Sequence, residues 1–252
     1  MSTGRKPNIN NDFFDGYYKD IWRAIIPEAL TKAEVDYLIQ EANLHAGNKV
    51  LDLMCGYGRH AIALARKGIE VMAVDNLADY VSEIDDIIKK ENLPIQTVEV
   101  DVIEFEPHTQ FDLVICMGNS LSVFDRDDTV KLFSTVKSCL KPNCKFIFGT
   151  WMIAEIAIKQ FKERSWSYVG DLRCLTDSKY FFSPSRIETE MAIIATDGTT
   201  EIKHSLDYIY SLDETENMLK ESGLDMKEVW SVPQKKKFAL GEPRAYIIAE
   251  KS

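Results

Sequence analysis

The chain has 252 residues, 45% of them hydrophobic, which is enough to bury one α/β core with an added segment. Its formal net charge of −10 argues against an extended phosphate-binding surface, so DNA, tRNA and rRNA are disfavoured as partners. The five cysteines are odd in number and lack C-x-x-C spacing, so we expect free thiols and no metal site. Without a recognisable secretion signal or a bilayer-spanning stretch, the chain is expected to be cytoplasmic and to have no membrane partner.

The strongest local signal is a strand at residues 49–53, followed by a glycine turn and a helix. Gly56 and Gly58 stand in this turn, where the absence of a side chain lets a ligand approach backbone N–H groups closely. The segment from Gly56 to Ala61 also satisfies the G-x-G-x-x-G/A pattern of dinucleotide sites, which has low specificity by itself. The sequence therefore predicts a nucleotide-type binding turn here.

Asp52, near the end of this strand, discriminates between ligands. A pyrophosphate beside this carboxylate would be repelled. S-adenosylmethionine carries an ammonium and a sulfonium and no phosphate, so the same carboxylate attracts it. We therefore expect Asp52 to lie near the amino group of that cofactor. The alternative is that Asp52 only caps its own turn.

More acids follow the next predicted strands. Asp75 ends the apolar run 69–74 and lies 19 residues after Gly56, a spacing typical of a carboxylate that binds ribose hydroxyls. Further strands are predicted at 95–100, 111–116 and 144–150, with helices at 79–91 and 127–140. This alternation predicts a parallel sheet covered on both faces. Ligands of such sheets bind at the carboxyl ends of the strands, where Asp101 and Asn119 also fall.

The pattern changes after the fifth strand. A helix is predicted at 151–164, and from 165 to 211 the apolar residues alternate with period two. Strands are predicted at 171–182, 186–195 and 201–210, with Asp197-Gly198 as a hairpin turn. A helix then begins with Asp213 as its N-cap and ends at Gly223. Two last strands are predicted at 225–232 and 244–250.

These motifs resemble class I S-adenosylmethionine-dependent methyltransferases. The residues that carry the resemblance are Val50-Leu51-Asp52, Cys55-Gly56-Tyr57-Gly58, Val74-Asp75, Asp101 and Phe111-Asp112-Leu113-Val114. The segment 115–121 is similar to the corresponding part of glycine and glycine/sarcosine N-methyltransferases, and Met54 departs from the glycine or alanine usual in the family. The resemblance implies a Rossmann-like, seven-stranded, mostly parallel sheet with a C-terminal antiparallel hairpin. It also implies a cofactor-binding core at 45–164 and 212–252, a helical cap at 1–44, and an antiparallel substrate lid at 165–211.

The resemblance also implies a role for each site residue. Gly56 and Gly58 would form the turn beneath the methionine part of the cofactor, next to Cys55 and Asp52. The other predicted contacts are Asp75 and Asn76 to the ribose, Asp101 and the backbone of Val102 to the adenine, Met117 near the sulfur, Asn119 facing the acceptor, and Tyr18 and Trp22 closing over the site. Arg23 or Arg59 would pair with the cofactor carboxylate.

Several of these residues have ordinary structural alternatives. Tyr18 and Trp22 would equally pack a helix on the core, and Asn119 would tie down its own turn. In the lid, Arg186, Glu188 and Glu190 share one strand face, which supplies charge to a substrate if it points inward and is solvated surface if it points outward.

The function inferred is methyl transfer from S-adenosylmethionine to a small polar molecule, with nitrogen as the expected acceptor atom. An amine acceptor needs only to arrive deprotonated, whereas a hydroxyl acceptor generally needs a base, and the sequence contains no unmistakable base. Two alternatives remain open: an oxidoreductase that binds a nicotinamide dinucleotide, and a non-catalytic module that binds S-adenosylmethionine. The acceptor and the oligomeric state are left open.

Overall fold

The computed structural model describes residues 8–232 and 236–251. The described helices are α1 Tyr17–Ile25, α2 Glu28–Glu41, α3 Arg59–Ala65, α4 Ala78–Glu91, α5 Arg126–Cys139, α6 Ala154–Gln160 and α7 Leu212–Glu221, with short 3-10 helices at Ile9–Asp12 and Ser120–Val123. The strands are β1 Lys49–Leu53, β2 Glu70–Asp75, β3 Ile95–Glu99, β4 Phe111–Cys116, β5 Leu140–Thr150, β6 Arg164–Val169, β7 Leu172–Phe182, β8 Ser185–Ile194, β9 Thr200–Tyr208, β10 Leu224–Val232, β11 Lys236–Lys237 and β12 Ala245–Lys251. Within these two ranges no helix is long and apolar enough to cross a membrane.

The large sheet has the strand order β11-β10-β12-β5-β4-β1-β2-β3. The strands from β1 to β5 pair in parallel, whereas β12 runs antiparallel to both β5 and β10. The α/β fold class predicted from the sequence is therefore confirmed, including the closing antiparallel hairpin. The sheet has one strand more than the seven expected, because the two-residue strand β11 pairs with the edge of β10.

The central strands are buried on both faces. Leu51 and Leu113, on neighbouring strands, are both 0% exposed, as expected for a parallel sheet covered by helices. One large apolar cluster contains Phe133 of α5 and a second contains Leu38 of α2, so the sheet separates two layers of core. This packing fixes the carboxyl ends of β1, β2 and β4 along one edge of the sheet.

The second sheet has the order β6-β7-β8-β9 and is entirely antiparallel. The antiparallel segment expected from the sequence is thus present, with β6 as an additional strand. Thr189 and Met191 of β8 point toward the large sheet, so Arg186, Glu188 and Glu190 lie on the opposite face. Arg186 Nε donates to Glu188 Oε1 at 2.8 Å, and the side chains of Glu188 and Glu190 are 43% and 59% exposed, so this charged face is solvated surface.

Two local predictions were wrong. The helix expected to run to residue 164 ends at Gln160, because Arg164–Val169 pairs with β7 and this tertiary pairing outweighs the local helical pattern. The N-cap of α7 is Ser211 and not Asp213. Ser211 and Glu214 form a reciprocal capping box, whose S-x-x-E spacing is visible in the sequence.

The segment before α1 joins the two sheets. Asn10 is 2% exposed, donates from Nδ2 to the Leu206 carbonyl at 3.0 Å and accepts from Leu206 N–H at 2.9 Å, so its amide pairs with β9 as a strand would. Asn8 Nδ2 donates to the Val123 carbonyl of the core at 2.9 Å. These bonds hold the second sheet against the carboxyl edge of the large sheet.

Candidate functional site

A cavity of about 300 Å³ lies at the carboxyl edge of the large sheet, beneath the second sheet. It is lined by the segment before α2, by the residues that follow β1, β2, β3 and β4, and by β8 and β9. The predicted site residues found in its lining are Tyr18, Trp22, Asp52, Cys55, Gly56, Asp75, Asn76, Asp101, Val102, Met117 and Asn119. The topology therefore brings together residues spread over a hundred positions of sequence.

The two glycines of the turn serve different purposes. Gly56 has φ +56° and no heavy atom within 4 Å of the place where a Cβ would lie, so its bare backbone faces open space in the cavity. Gly58 has φ +75° and does not line the cavity; a Cβ there would lie 2.8 Å from Ile84 Cγ1. Gly58 is thus required for packing α3 against α4, whereas Gly56 leaves room for a ligand.

Asp52 is the most unusual side chain in the cavity lining. It is 1% exposed, and its Oδ2 atom is buried without a hydrogen-bond partner. Burial raises the pKa of Asp52 to about 7, despite the opposing charge of Arg59 and a backbone hydrogen bond from Ala61. A buried, unsatisfied carboxylate is costly, and a cationic ligand group beside it would relieve that cost.

Asp75 is tied to the glycine turn. Its Oδ2 accepts from Gly56 N–H at 2.8 Å, and its Oδ1 accepts from Leu77 N–H at 3.0 Å. Burial raises the pKa of Asp75, and these backbone bonds oppose the rise. The carboxylate keeps some accepting capacity for a ligand. Asn76 beside it is exposed and donates to Asn11 Oδ1 at 2.9 Å.

Asp101, Val102 and Met117 line the cavity at the ends of β3 and β4. Asp101 Oδ1 accepts from Ile103 N–H at 2.9 Å, which fixes the loop after β3. Val102 and Met117 are 4% and 6% exposed, so they contribute apolar surface. Burial, followed by the charges of Asp52 and Asp75, raises the pKa of the Cys55 thiol, which stays protonated.

Asn119 is more deeply engaged in structure than its predicted role implies. Its Oδ1 accepts from Thr150 Oγ1 at 2.9 Å, from Trp151 N–H at 2.9 Å and from Met152 N–H at 3.0 Å. Its Nδ2 donates to Ser122 Oγ at 3.0 Å, and its backbone has φ +73°. These bonds favour the alternative in which Asn119 fixes the turns after β4 and β5.

Tyr18 and Trp22 lie on α1 with their rings toward the cavity, where Trp151 joins them. The ring centroids are 6.4 Å apart for Tyr18 and Trp22, and 5.7 Å apart for Trp22 and Trp151. We call these three residues the aromatic wall. Burial and the charge of Asp207 raise the pKa of Tyr18, so its hydroxyl stays protonated and can donate a hydrogen bond.

Sequence reasoning missed Asp207, a lining residue on β9. Ser122 Oγ lies 2.7 Å from Asp207 Oδ1 and donates to it, and burial raises the pKa of the Asp207 carboxyl against this bond. Asn119 therefore connects to Asp207 through Ser122. The alternation of β9 predicts a face but not its direction, so no sequence signal distinguishes Asp207 from a surface acid.

Glu34 was also missed. It is 3% exposed and accepts from Arg59 Nη1 at 2.6 Å and from Tyr246 Oη at 2.7 Å, with His60 Nε2 at 3.0 Å. Burial alone would raise the pKa of Glu34, but His60, Arg59 and Tyr246 together lower it to about 2. Arg59, one of two candidates for the cofactor carboxylate, lines the cavity while held by Glu34. The other, Arg23, pairs with Glu83 away from the described lining.

Residues 50–143 match a family model described as a methyltransferase domain. This part of the large sheet is therefore similar to a methyltransferase domain. The resemblance to class I S-adenosylmethionine-dependent methyltransferases inferred from the sequence is confirmed. The turn after β1, Asp75 and Asn119 all fall within the matched range.

The relatives of this chain are named for several chemistries. A glycine/sarcosine N-methyltransferase from Halorhodospira halochloris is 29% identical over 139 residues, which are 54% of this chain and 52% of the relative. The chain thus spans about half the length of that relative. A ubiquinone biosynthesis O-methyltransferase from Actinobacillus pleuropneumoniae is 26% identical over 62% of this chain and 78% of its own length.

The fold extends over nearly the whole chain. The crystal structure of an S-adenosylmethionine-dependent methyltransferase from Clostridium acetobutylicum superposes with a TM-score of 0.81 at 20% identity, covering 94% of this chain and 96% of that one. The family match ends at residue 143, whereas this structural likeness covers 94% of the chain and therefore includes the second sheet. The additional antiparallel sheet is thus part of an architecture found in other proteins.

Proposed function

We propose that this chain transfers a methyl group from S-adenosylmethionine to a small polar acceptor, at nitrogen. The observation that carries the proposal is the unpartnered Oδ2 of Asp52, buried in the same cavity as the open backbone of Gly56. The cofactor has an ammonium to satisfy this carboxylate and hydroxyls to satisfy Asp75. A nicotinamide dinucleotide would instead bring a pyrophosphate toward Asp52.

When bound, S-adenosylmethionine supplies an activated methyl: the acceptor lone pair forms the new bond to carbon, and the electron pair of the carbon–sulfur bond stays on sulfur. The protein then has to align the acceptor with the methyl and exclude water. Met117 and the aromatic wall supply apolar surroundings for this alignment. The second sheet covers the cavity as a lid. We further propose that this lid governs the choice of acceptor.

Nitrogen is favoured over oxygen because neither His60 nor Tyr18, two described lining residues, is suited to remove the proton of a hydroxyl. His60, the one histidine among the described lining residues, is bonded to Glu34, and its pKa is lowered by burial. Tyr18 stays protonated. An amine that reaches the site deprotonated needs no such group. The O-methyltransferase relative keeps a hydroxyl acceptor as the alternative to be tested.

Calorimetry with S-adenosylhomocysteine tests the cofactor site. We expect the parent chain to bind it and Asp75→Ala to lose about 2 kcal/mol of binding, because a partly buried carboxylate makes charge-assisted bonds to hydroxyls. Asp86→Ala is the control, since Asp86 is an exposed acid of α4 with a side chain 77% accessible. NAD should not bind. Binding of NAD in place of S-adenosylhomocysteine would establish the oxidoreductase alternative.

A turnover assay separates an enzyme from a non-catalytic binding module. The full chain is incubated with S-adenosylmethionine and a panel of amines and alcohols, and S-adenosylhomocysteine release is measured. We expect release that depends on an amine. Cofactor binding without release over the whole panel would favour the binding module, and release with alcohols alone would assign oxygen as the acceptor atom.

A further inference from the structure

The charges around the cavity are unbalanced. Among the described residues of its lining, the acids are Asp52, Asp75, Asp101 and Asp207, and the basic residues are Arg59 and His60. Both basic side chains are bonded to the buried Glu34. A ligand that enters this cavity therefore meets carboxylates, and the described lining contains no lysine, and no arginine besides Arg59, for an anionic group.

The four acids divide between two parts of the fold. Asp52, Asp75 and Asp101 follow or end strands of the parallel sheet, where the proposed cofactor lies. Asp207 belongs to β9 of the lid. Because Asp207 approaches the cavity from the opposite side, it is the carboxylate available to the acceptor.

The surroundings of Asp207 are built to hold it in one position. Ser122 Oγ donates to its Oδ1 at 2.7 Å, and Asn119 Nδ2 donates to Ser122 Oγ at 3.0 Å. Ser205, two residues earlier on β9, lines the same cavity and is 8% exposed. Asp207 Oδ2 does not take part in these bonds, so it can accept from a ligand.

The aromatic wall adds a second, independent attraction for positive charge. Tyr18, Trp22 and Trp151 line the cavity together with Asp207. Aromatic faces attract an ammonium group through their quadrupole, most strongly for tryptophan. A carboxylate combined with aromatic faces is the arrangement that recognises an amine, whereas a carboxylate-bearing acceptor would need an uncommitted arginine or lysine.

We propose that Asp207 binds the amino group of the acceptor, and that the acceptor is a cationic amine without a carboxylate group. The proposal rests on the methyl-transfer function proposed above and narrows its substrate class. It sets this chain apart from an enzyme that methylates glycine itself, since the glycine carboxylate would face Asp207, and the guanidinium of Arg244 beside Trp151 is already paired with Glu34. Asp207 or water takes the proton that the amine loses before or during transfer.

Matched pairs of acceptors test the proposal. The probes are methylamine with glycine, ethanolamine with serine, and tyramine with tyrosine, each pair differing by one carboxylate. S-adenosylhomocysteine release is measured with S-adenosylmethionine, and binding of each probe to the chain saturated with S-adenosylhomocysteine is measured by calorimetry. We expect the amine of at least one pair to bind and react at least about 10-fold better than its amino acid.

Asp207→Asn should lower kcat/KM and binding for the preferred amine by about 30-fold, because the isosteric amide keeps the bond from Ser122 but loses the charge. The affinity for S-adenosylhomocysteine should stay within about twofold, since Asp207 lies on the lid and not at the cofactor turn. Glu190→Gln is the matched control, because Glu190 is an acid on the outer face of the same sheet.

The outcomes separate this proposal from the function on which it rests. Equal or better use of the amino acids, no binding of any of the six probes, or an unchanged Asp207→Asn would overturn the amine assignment. Amine binding that depends on Asp207, without any methyl transfer, would support the assignment and overturn the catalytic function. Methyl transfer to glycine in preference to methylamine would support the catalytic function and overturn the amine assignment.

Discussion

The two sheets differ in how they are buried and in which part of the proposed site they form. The strands β1, β2 and β4 are buried on both faces, and their carboxyl ends are held where the packing places them. The second sheet has one face toward the cavity and one toward solvent, with Trp166 and Tyr168 of β6 69% and 63% exposed. The first sheet fixes the residues proposed for the cofactor, and the second presents those proposed for the acceptor.

This difference decides how each half of the site can change. A residue such as Asp52 is constrained by complete burial, by the turn that follows it and by neighbouring strands. Asp207 is constrained mainly by Ser122 and by its place in β9. Substitutions on the inner face of the second sheet can therefore alter the proposed acceptor pocket with less disturbance of the core.

The largest effect is expected at Glu34, which binds Arg59 and His60 beside the proposed cofactor site. We call that part of the site, formed by the large sheet, the cofactor half, and the part formed by the second sheet the acceptor half. Glu34→Gln removes the charge that pairs with Arg59 at 2.6 Å and with the buried His60, and should cost about 3 kcal/mol of unfolding free energy at neutral pH. The measurement is denaturant unfolding. Glu91→Gln, which breaks the exposed pair with Arg66, is the control and should change stability little.

The stability lost in Glu34→Gln depends on pH in a defined way. The pKa of Glu34 is lowered from 4.5 to about 2, so its stabilising charge is fully present above pH 4.5 and is lost as the pH falls toward 2. The stability difference between the parent and Glu34→Gln should therefore shrink across this window. A difference that is small at neutral pH, or that grows on acidification, would show that the Glu34 cluster does not support the cofactor half.

A smaller effect is expected at Asn119, where the two halves meet. Asn119→Ala leaves the N–H groups of Trp151 and Met152 without their acceptor and should cost about 2 kcal/mol of unfolding free energy. Asn119→Asp keeps an oxygen for these donors and should lose less. Affinity for S-adenosylhomocysteine should barely change. If stability is retained while kcat/KM falls, Asn119 acts on the acceptor directly, as its sequence motif suggested.

The sequence predicted the cofactor half better than the acceptor half for a physical reason. In the parallel sheet, continuous apolar strands and the positions of Asp52, Asp75 and Asp101 specify which residues reach the same edge. In the antiparallel sheet, alternation specifies two faces and leaves open which one turns inward. Asp207 and Glu190 therefore look alike in the sequence, although one lines the cavity and the other lies on the outer face.

Buried ion clusters were equally inaccessible to sequence reasoning. Glu34 and Tyr246 are 212 positions apart, and the bond between them at 2.7 Å follows only from the packing of α2 against the end of the large sheet. The fold class could be predicted because hydrophobic periodicity is a local signal in the sequence. The partners of Arg59 and Asn119 could not be predicted, because these bonds join elements that are distant in the sequence.

The smallest effect we predict is proton release from Asp52 on ligand binding, which tests the assignment of the two sheets to cofactor and acceptor. Burial raises the pKa of Asp52 from 3.8 to about 7, so in the free protein this carboxyl is partly protonated at neutral pH. A bound ammonium favours the ionised form, so binding S-adenosylhomocysteine should release protons. Affinity should rise as the pH increases toward 7, by at most about tenfold per pH unit, and level off above it.

Calorimetry in buffers with different ionisation enthalpies measures the protons released directly. Asp52→Asn should bind more weakly but with an affinity that is nearly independent of pH between about 5.5 and 7, because the titrating group next to the ammonium is gone. Asp207→Asn should keep the pH dependence of the parent, since Asp207 belongs to the acceptor half. If Asp207→Asn abolished the proton release and Asp52→Asn preserved it, the ammonium of the cofactor would lie on the lid side, and the assignment of the two sheets to cofactor and acceptor would have to be exchanged.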